Sequence, residues 1–389
     1  MNYRISDFCH QVPGDNGFVA LYNALTLGVV IVEKKIAYFL ASAPGKIFSI
    51  HEADSIAGDE TNSLLKQLKK QRLIFPLGRR RDQADYLEIQ KGLEIKRIGI
   101  LYLLLTDACN LACRYCFVEN GMPADHQAKK MTPETAKWAL RMFAKSLTAS
   151  HGVEEPQIIL YGGEPTMNLP VMGTVFDFVE ELKQTGQLPQ NTSITLNTNG
   201  TLINENVIKV LKRGKNLNIA ISLDGDSDIN NQCRVYHNGN GTYDNIVAAY
   251  QLLKNNGLEA GLCCTINKYN VDQLEQLSHW FVETFGIRSM GFNLLIENCG
   301  IEQVRGDATE YAQKATQGII NCFKYFREQG IYEDRVMRKV NAFADGFIYY
   351  YDCGGCGQQL VVSPDGLVGV CQGYCGSKKY FIKPGDDFD

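Results

Sequence analysis

Short apolar runs alternate with longer amphipathic stretches along the chain from Ile98 onward. Runs of this length, bounded by polar or glycine-containing segments, are typical of strands that are buried on both faces. Strands that alternate with helical stretches predict an α/β fold, a parallel sheet with helices outside it. The predicted strands are Gly99–Leu105, Gln157–Tyr161, Ser193–Asn197, Asn218–Leu223, Ala260–Ile266 and Ser289–Leu295.

The helix after the first predicted strand has clear start signals. Thr132 can cap the helix, Pro133 suits its first position, and Glu134 favours the positive end of the helix dipole. An apolar stripe at helical spacing follows, formed by Ala136, Ala139, Leu140 and Phe143. The later predicted helices are Val171–Gln184, Glu205–Lys212, Tyr243–Asn255 and Val271–Thr284.

Residues 1–95 follow a different pattern. Phe18–Val32 predicts a hairpin, and a helix rich in Ala, Tyr and Phe follows it. Ser63–Gln71 predicts a helix that runs into an apolar strand, Leu73–Pro76. This order is similar to a small α+β, winged-helix-like domain, and a packing extension of the main domain is the alternative. We therefore expect three parts, residues 1–95, 96–330 and 331–389.

Charge and hydropathy exclude some classes of partner. The net charge is −4 at pH 7 with Lys and Arg spread along the chain, so no basic face for nucleic acid is expected. The short cluster Arg79, Arg80 and Arg81 is interpreted as a solvated linker. The N-terminus lacks the features of a signal peptide, and no apolar stretch is long enough to cross a bilayer. We predict a soluble, cytoplasmic protein with neither nucleic acid nor membrane as a partner.

The 13 cysteines are unevenly spread, with one group at positions 109–116 and another at 353–375. In an unexported chain they would stay reduced, and their placement is unlike a disulfide framework. Metal ligation is the better explanation for both groups. Cys263 and Cys264, on the fifth predicted strand, are interpreted as packing residues.

The first group comprises Cys109, Cys113 and Cys116, on one loop directly after the first predicted strand. Parallel α/β folds place their chemistry at the carboxyl ends of strands. Thiolates favour iron–sulfur clusters or zinc, and a closed zinc site would need a fourth Cys or His nearby. Three thiolates on a four-iron cluster instead leave one iron open to bind a small molecule.

The CxxxCxxC spacing, with the aromatic Tyr115 before the last cysteine, resembles the signature of the radical S-adenosylmethionine (SAM) superfamily. The resemblance implies a partial (β/α)6 TIM-like barrel, a [4Fe–4S] cluster with one open iron, and SAM bound at that iron. It also implies reductive cleavage of SAM to a 5′-deoxyadenosyl radical that abstracts hydrogen from the substrate, while the protein orients and shields the radical. A partner implied by this chemistry is an electron donor such as flavodoxin or ferredoxin.

The next two strand ends support the resemblance. A segment similar to the family's GGEP motif follows the second strand, and its members are Gly162, Gly163, Glu164 and Pro165. Glycine there lets the backbone approach a ligand, and the carboxylate can accept from an amine. The third strand ends near Asn197 and Asn199, whose amides can hydrogen-bond ribose hydroxyls. Taken alone, both segments would be interpreted as ordinary turns.

The fourth strand end is similar to that of peptide- and protein-modifying family members. By that resemblance Ser222 and Arg234 hold the carboxylate of SAM, for which a guanidinium is well shaped. The family's His-Asp pair before the arginine is here Ile229 and Asn230, so any role tied to that pair is in doubt. A surface ion pair is the alternative role for Arg234. Asp224 is a candidate acid or base, although aspartate at a strand end commonly forms a turn.

The second cysteine group comprises Cys353, Cys356, Cys371 and Cys375. A turn at 364–366 predicts a hairpin that brings Cys371 back towards Cys356. From the residues alone, a zinc site and an iron–sulfur site both remain open. The Cys356-x9-Gly366-x4-Cys371 spacing resembles the start of a SPASM extension, which implies one auxiliary [4Fe–4S] cluster. A complete SPASM region continues with a second cysteine group, so truncation of the sequence at Asp389 is one interpretation.

The predicted function is that of a radical SAM enzyme acting on a peptide or protein substrate. The resemblance implies hydrogen abstraction from a substrate residue, giving a thioether or another crosslink, with residues 1–95 as a leader-peptide-binding element. One alternative is an anaerobic sulfatase-maturating enzyme that makes formylglycine. Another, outside enzymes, is an iron–sulfur electron-transfer or peptide-binding protein.

Overall fold

The computed structural model describes residues 1–14, 16–78, 81–93, 98–149, 153, 155–295, 301–346 and 353–385. The chain divides into two compact units. The first comprises Met1–Ile95 and Lys339–Asp352, and the second Lys96–Arg338 and Cys353–Asp389. The division at residues 95 and 330 that the sequence suggests stays a prediction.

Two small antiparallel sheets and several helices form the first unit. Its strands are β1 Asn2–Ile5, β2 Cys9–Pro13, β3 Phe18–Asn23, β4 Val29–Glu33, β5 Ile47–Ser49 and β6 Ile74–Pro76. Its helices are α1 Lys34–Ser42, α2 Ile50–Ala57, α3 Thr61–Lys70 and α4 Arg81–Leu93. One sheet has the order β5-β1-β6 and the other β2-β3-β4. Leu21, Leu68 and Leu73 are almost completely buried, so this unit has its own apolar core.

The predicted elements of this unit form. The hairpin is β3 with β4, the helix after it is α1, and the later helix and strand are α3 and β6. The sequence pattern missed α2, whose start is marked by a capping box between Ser49 and Glu52. It also missed α4: Arg81, predicted in a linker, begins this helix, whereas Arg79 and Arg80 lie outside the described residues.

The second unit is built on one large sheet. Its described strands are β7 Ile100–Thr106, β8 Gln157–Gly162, β9 Ser193–Thr198, β10 Leu217–Ser222, β11 Ala260–Thr265, β12 Ser289–Asn293, β13 Tyr332–Glu333, β14 Gln359–Val362, β15 Val368–Gly369 and β16 Phe381–Ile382. Their order is β13-β12-β11-β10-β9-β8-β7-β14-β15-β16. Neighbours from β13 to β14 pair in parallel, and the last two pairings are antiparallel.

Helices follow most of the parallel strands. They are α5 Pro133–Ala149, α6 Leu169–Gln184, α7 Glu205–Leu211, α8 Ser227–Cys233, α9 Tyr243–Asn255, α10 Leu274–Phe285, α11 Glu302–Arg305, α12 Ala308–Glu328 and α13 Asp334–Ala344, the last of which crosses the boundary between the units. No described helix is both long and apolar enough to cross a membrane.

The two faces of the large sheet differ in polarity, because successive side chains of a strand point to opposite faces. Leu101, Leu103 and Leu105 of β7 are completely buried in the core formed with the helices. The alternate positions form the other face, which includes Tyr102, Tyr161, Asn197, Ser222 and Cys263. We call this the polar face of the sheet. Two residues predicted from sequence to bind the cofactor, Asn197 and Ser222, lie on it.

The mixed α/β fold with a central parallel sheet is confirmed, since each predicted strand forms within two residues of its expected ends. The predicted hairpin after residue 356 also forms, as β14 and β15. Its place in the molecule was not predicted: β14 pairs in parallel with β7, with Val361 opposite Tyr102. The second cysteine group therefore flanks an edge extension of the same sheet that carries the first.

Candidate functional site

The loop with the first cysteine group is held by backbone hydrogen bonds to the two residues on either side of Arg234. Ala112 N donates to Val235 O at 2.8 Å, and Arg114 N donates to Cys233 O at 3.0 Å. Such bonds order a loop that has no regular structure of its own. The cysteine loop and the segment around Arg234, although far apart in the chain, thus form one part of the site.

The two glycines of the GGEP-like segment lie against the same cysteine loop. Gly163 N donates to Thr106 O and Glu164 N to Ala108 O, both at 2.8 Å. A β-carbon at Gly162 would lie 2.1 Å from Thr106 O, and one at Gly163 would lie 2.1 Å from Ala108 O. Glycine is required here because the two backbones approach so closely.

Glu164 is buried and its carboxylate is fully used inside the protein. It accepts from Thr166 Oγ1 at 2.6 Å, from Thr198 Oγ1 at 2.7 Å and from Asn199 N at 2.8 Å. Burial raises the pKa of Glu164, and these hydrogen bonds oppose that shift. Pro165 then begins a short 3-10 helix. In this structure Glu164 joins the GGEP-like segment to the end of β9 instead of facing open space.

The amide of Asn199 is directed at the cysteine loop. Its Oδ1 accepts from Thr201 N at 2.9 Å, and its Nδ2 donates to Asn110 Oδ1 at 3.0 Å. The same Nδ2 lies 3.8 Å from Cys109 Sγ, within the range of a hydrogen bond to sulfur. Asn197 lies two residues earlier on the polar face. The two asparagines that the sequence grouped together therefore differ in their surroundings.

Arg234 forms a buried ion pair, so the alternative of a surface pair is wrong. Its Nη2 lies 3.1 Å from Asp224 Oδ1, and the two side chains are 8% and 0% exposed. The other carboxylate oxygen of Asp224 accepts from the Tyr115 hydroxyl, and Thr265 N donates to Oδ1 at 2.9 Å. The guanidinium carbon lies 5.4 Å from the centre of the Tyr115 ring. Arg234 Nε is buried with no hydrogen-bond partner among the described residues, which leaves a donor for a ligand.

Asp224 is thus the centre of a network, which the sequence did not predict. Its own backbone carbonyl accepts from Asn270 Nδ2 at 3.1 Å, and its backbone N–H donates to Asn230 Oδ1 at 3.3 Å. Asn230 stands where the family has an acidic residue, and it supports Asp224 by this bond. Ser222, two residues before Asp224, ends β10 on the polar face opposite Cys263. The sequence signal for this network was an aspartate followed by glycine just after the end of a strand, Asp224 and Gly225.

Three thiolates on one loop are a donor set that suits a four-iron cluster better than a single zinc ion. Among the described residues, no three His, Cys, Asp or Glu side chains converge on a point that a single ion could occupy. A zinc ion needs sulfur ligands about 2.3 Å away, whereas a four-iron cluster offers a different iron to each thiolate. Backbone donors point at two sulfurs: Leu111 N lies 3.4 Å from Cys109 Sγ, and Glu119 N lies 3.4 Å from Cys116 Sγ. N–H groups aimed at sulfur suit thiolate ligands.

Burial raises the pKa of Cys109 and Cys113 to about 12, and it raises the pKa of Cys116 as well. Buried thiols with such values stay protonated at neutral pH, and they ionise when a bound metal supplies positive charge. The nearby guanidinium of Arg234 opposes the shift at Cys113. The electrostatics of the loop therefore favour a metal-bound state over reactive free thiolates.

The cysteines of the second group differ in their surroundings. A β-carbon at Gly355 would lie 3.6 Å from both Cys353 Sγ and Cys371 Cβ, which makes those two cysteines neighbours. Burial raises the pKa of Cys371, and the charges of Cys353 and Cys356 raise it further. Cys375 is only 2% exposed and packs instead with Leu104, Val118 and Val361, beside Cys116. All of the described cysteines are free of disulfide bonds.

Cys263 and Cys264 point in opposite directions. Cys264 is completely buried in the main core, as the packing interpretation predicted. Cys263 is on the polar face, where Asn293 Nδ2 donates to its Sγ at 3.0 Å. Burial raises the pKa of Cys263 to about 11.

A parallel α/β sheet with three cysteines on a strand-end loop, and polar residues on the neighbouring strand ends, defines a ligand-binding α/β protein with a metal-cluster site. Residues 103–281 match the family model described as the Radical SAM superfamily. This part of the chain therefore carries a radical SAM domain. The cofactors of that family are a [4Fe–4S] cluster and SAM.

Three relatives cover different shares of the chain. An uncharacterized protein of Methanocaldococcus jannaschii, MJ0907, is 30% identical over 196 residues, which are 50% of this chain and 62% of that protein, so the match spans less than two thirds of it. The radical SAM cyclopropyl synthase TigE of Paramaledivibacter caminithermalis is 22% identical over 400 residues, covering 96% of this chain and 79% of that protein. A cysteine-type anaerobic sulfatase-maturating enzyme of Clostridium perfringens is 23% identical over 290 residues, 71% of this chain and 75% of that enzyme.

Solved structures share the fold. The structure of Streptococcus suis SuiB bound to S-adenosylmethionine has a TM-score of 0.56 and 15% identity, and the match covers 98% of this chain and 85% of SuiB. At this identity the likeness concerns the fold alone.

Proposed function

We propose that this protein is a peptide-modifying radical SAM enzyme that abstracts hydrogen from a residue of a peptide substrate to form a crosslink, such as a thioether. The observation that carries the proposal is the joining of four strand ends into one site. Hydrogen bonds connect the cysteine loop to the GGEP-like segment, to Asn199 and to the residues on either side of Arg234. When bound, the cluster and SAM supply a one-electron cleavage that yields the hydrogen-abstracting radical.

The chain's own residues would bind and orient these groups. Cys109, Cys113 and Cys116 are proposed to hold the cluster, and Tyr115 to pack beside it. Asn197 on the polar face is a candidate for the ribose hydroxyls of SAM. Ser222, on the same face, and the unpartnered Nε of Arg234 are proposed to hold its carboxylate. The backbone of Gly162 and Gly163 borders the same space. Because both ends of the Asn199 amide are engaged, we place Asn199 with the cluster.

Cys353, Cys356 and Cys371 are proposed to hold an auxiliary [4Fe–4S] cluster. Gly355 N and Gly373 N point at the sulfurs of Cys353 and Cys371 at 3.4 and 3.3 Å, an arrangement like that of the first group. Cys375 is buried among apolar side chains, so we propose a packing role for it and leave it out of the ligand set. We also propose that the parallel sheet curves into the partial barrel of the family.

A polypeptide substrate is supported by the relatives. TigE is named as a cyclopropyl synthase, and SuiB has been solved with the precursor peptide SuiA at a TM-score of 0.53, covering 100% of this chain and 86% of SuiB. We propose that the first unit binds a leader segment of such a peptide. An electron donor such as flavodoxin or ferredoxin would reduce the cluster, and a reducing cytoplasm would keep the free cysteines available for iron.

A second candidate is formylglycine formation on a sulfatase, favoured by the match to the sulfatase-maturating enzyme over 71% of this chain. Deletion of residues 1–76 separates the two. If the shortened protein no longer binds a cysteine-containing precursor peptide, the result supports the peptide-crosslinking function. If it keeps its activity on a sulfatase peptide, the result supports formylglycine formation.

The test of the main proposal is anaerobic reconstitution with iron and sulfide, followed by dithionite and SAM and by chromatography for 5′-deoxyadenosine. We expect 5′-deoxyadenosine from the wild type and none above background from Cys113→Ala. Cys9→Ala, in the first unit, is the matched control and should behave as the wild type. A fully loaded wild-type protein that makes no 5′-deoxyadenosine would contradict the proposal.

A further inference from the structure

Asn199 is buried, with 8% of its surface exposed. Its backbone N–H and both polar atoms of its side-chain amide form hydrogen bonds with neighbouring residues. Its backbone N–H is held by Glu164 Oε2 at 2.8 Å, which sets the position of the residue at the end of β9. Its Oδ1 accepts from both the backbone N–H and the hydroxyl of Thr201, at 2.9 and 2.8 Å. The acceptor end of the amide therefore faces Thr201.

The donor end must then face the cysteine loop. Nδ2 carries two N–H groups, and it lies 3.0 Å from Asn110 Oδ1 and 3.8 Å from Cys109 Sγ. A rotated amide would place an oxygen against Asn110 Oδ1 and an N–H group against the Thr201 N–H, so the orientation is decided by the network. Asn110 is itself anchored, since its Nδ2 donates to Thr201 Oγ1 at 2.8 Å.

We propose that Asn199 is a positioning residue that raises the reduction potential of the cluster held by Cys109, by donating a side-chain N–H to its sulfur. The inference rests on the proposed role of Cys109 as a cluster ligand. Reduction adds negative charge to the cluster and its sulfurs, and an N–H dipole aimed at sulfur stabilises the reduced form more than the oxidised form. Glu164 holds the backbone N–H of Asn199 in place. The buried carboxylate of the GGEP-like segment therefore has a function in this arrangement.

The experiment compares midpoint potentials in the absence of SAM. Wild type and Asn199→Leu are reconstituted anaerobically and titrated with dithionite while the reduced cluster is followed by electron paramagnetic resonance. The signal that disappears in Cys113→Ala identifies the cluster in question. We expect about a tenfold lower ratio of reduced to oxidised cluster in Asn199→Leu at a fixed potential, equivalent to about 59 mV for a one-electron couple. Asn199→Asp should shift further in the same direction, because it places a carboxylate near the sulfur.

Asn206→Leu is the control, since it makes the same change at an exposed position of α7, and its potential should equal that of the wild type. If Asn199→Leu does not retain iron, Thr201→Val replaces it, because it removes one anchor of the amide and should give a smaller shift in the same direction. If the Asn199 variants bind the cluster and their potential equals that of the wild type, the inference is overturned. If they do not bind the cluster, an unchanged potential in Thr201→Val overturns it. Failure of the wild type to bind a cluster, or to cleave SAM, counts against the proposed function instead.

Discussion

The two cysteine groups of this chain differ in how firmly the fold holds them. The loop with Cys109 and Cys113 is hydrogen-bonded to the residues on either side of Arg234 and to the GGEP-like segment, and its thiols are half-buried. In the second group Cys353 and Cys356 are exposed, whereas Cys375 is buried in an apolar cluster. Similar runs of cysteines in sequence therefore need not make similar sites. The first group is bordered by strand ends that could hold a second ligand.

The largest expected effect is on cluster content. Cys113→Ala should lose the cluster of the first loop, and Cys371→Ala should lose the auxiliary cluster. Each loss should amount to about four irons per chain after anaerobic reconstitution. The reason is that each group supplies thiolates to its own cluster. Iron and acid-labile sulfide analysis measures the loss, with Cys9→Ala as the control. Stoichiometric zinc at the second group would show that only the first holds iron.

The next largest effect concerns the network that supports the first loop. Asp224→Asn leaves the Arg234 guanidinium buried without its counter-charge, which should lower the free energy of unfolding by about 3–5 kcal/mol. Urea denaturation of the metal-free protein measures it. The matched control is Asp177→Asn, whose partner Arg213 is exposed, and it should cost about 0–1 kcal/mol. Equal effects in the two variants would mean that burial of the first pair does not matter.

A smaller effect is expected at the contact between the two loops. Gly163→Ala places a β-carbon against Ala108 O and should destabilise the protein by about 1–3 kcal/mol, as overpacking does. It should also reduce loading of the first cluster, because the cysteine loop must move. Gly385→Ala, which has open space around it, is the control for both measurements. Full loading at wild-type stability would show that the loops separate freely.

The smallest effect separates Cys375 from its group. Cys375→Ala removes a buried sulfur from an apolar cluster and should cost about 1–2 kcal/mol of unfolding free energy. It should leave the iron content unchanged, in contrast to Cys371→Ala. Loss of auxiliary iron in Cys375→Ala would contradict this assignment and restore the ligand set that the sequence suggested.

Most of the central sheet could be predicted from sequence, because strands such as Gln157–Gly162 are continuous apolar runs whose length and bounds carry the signal. The position of the hairpin after residue 356 could not. The hairpin itself, β14 with β15, was predicted, but the pairing of β14 with β7 joins residues far apart in the chain, which local patterns do not encode. The short strands β1, β2 and β5 of the first unit were not predicted.

The cysteine spacing, the GGEP-like segment and the order of the strand ends could be identified from sequence. The reason is that residue type and spacing along the chain are enough to recognise them. Tertiary structure decided which atoms meet. It turned Glu164 inward to the end of β9, directed the amide of Asn199 to Cys109, paired Arg234 with Asp224, and buried Cys375 in an apolar cluster. The contacts of Asn199 with Glu164 and with Cys109 join residues that are 35 and 90 positions apart in the chain. Burial and hydrogen-bond satisfaction in the folded chain select them, and no local spacing specifies them.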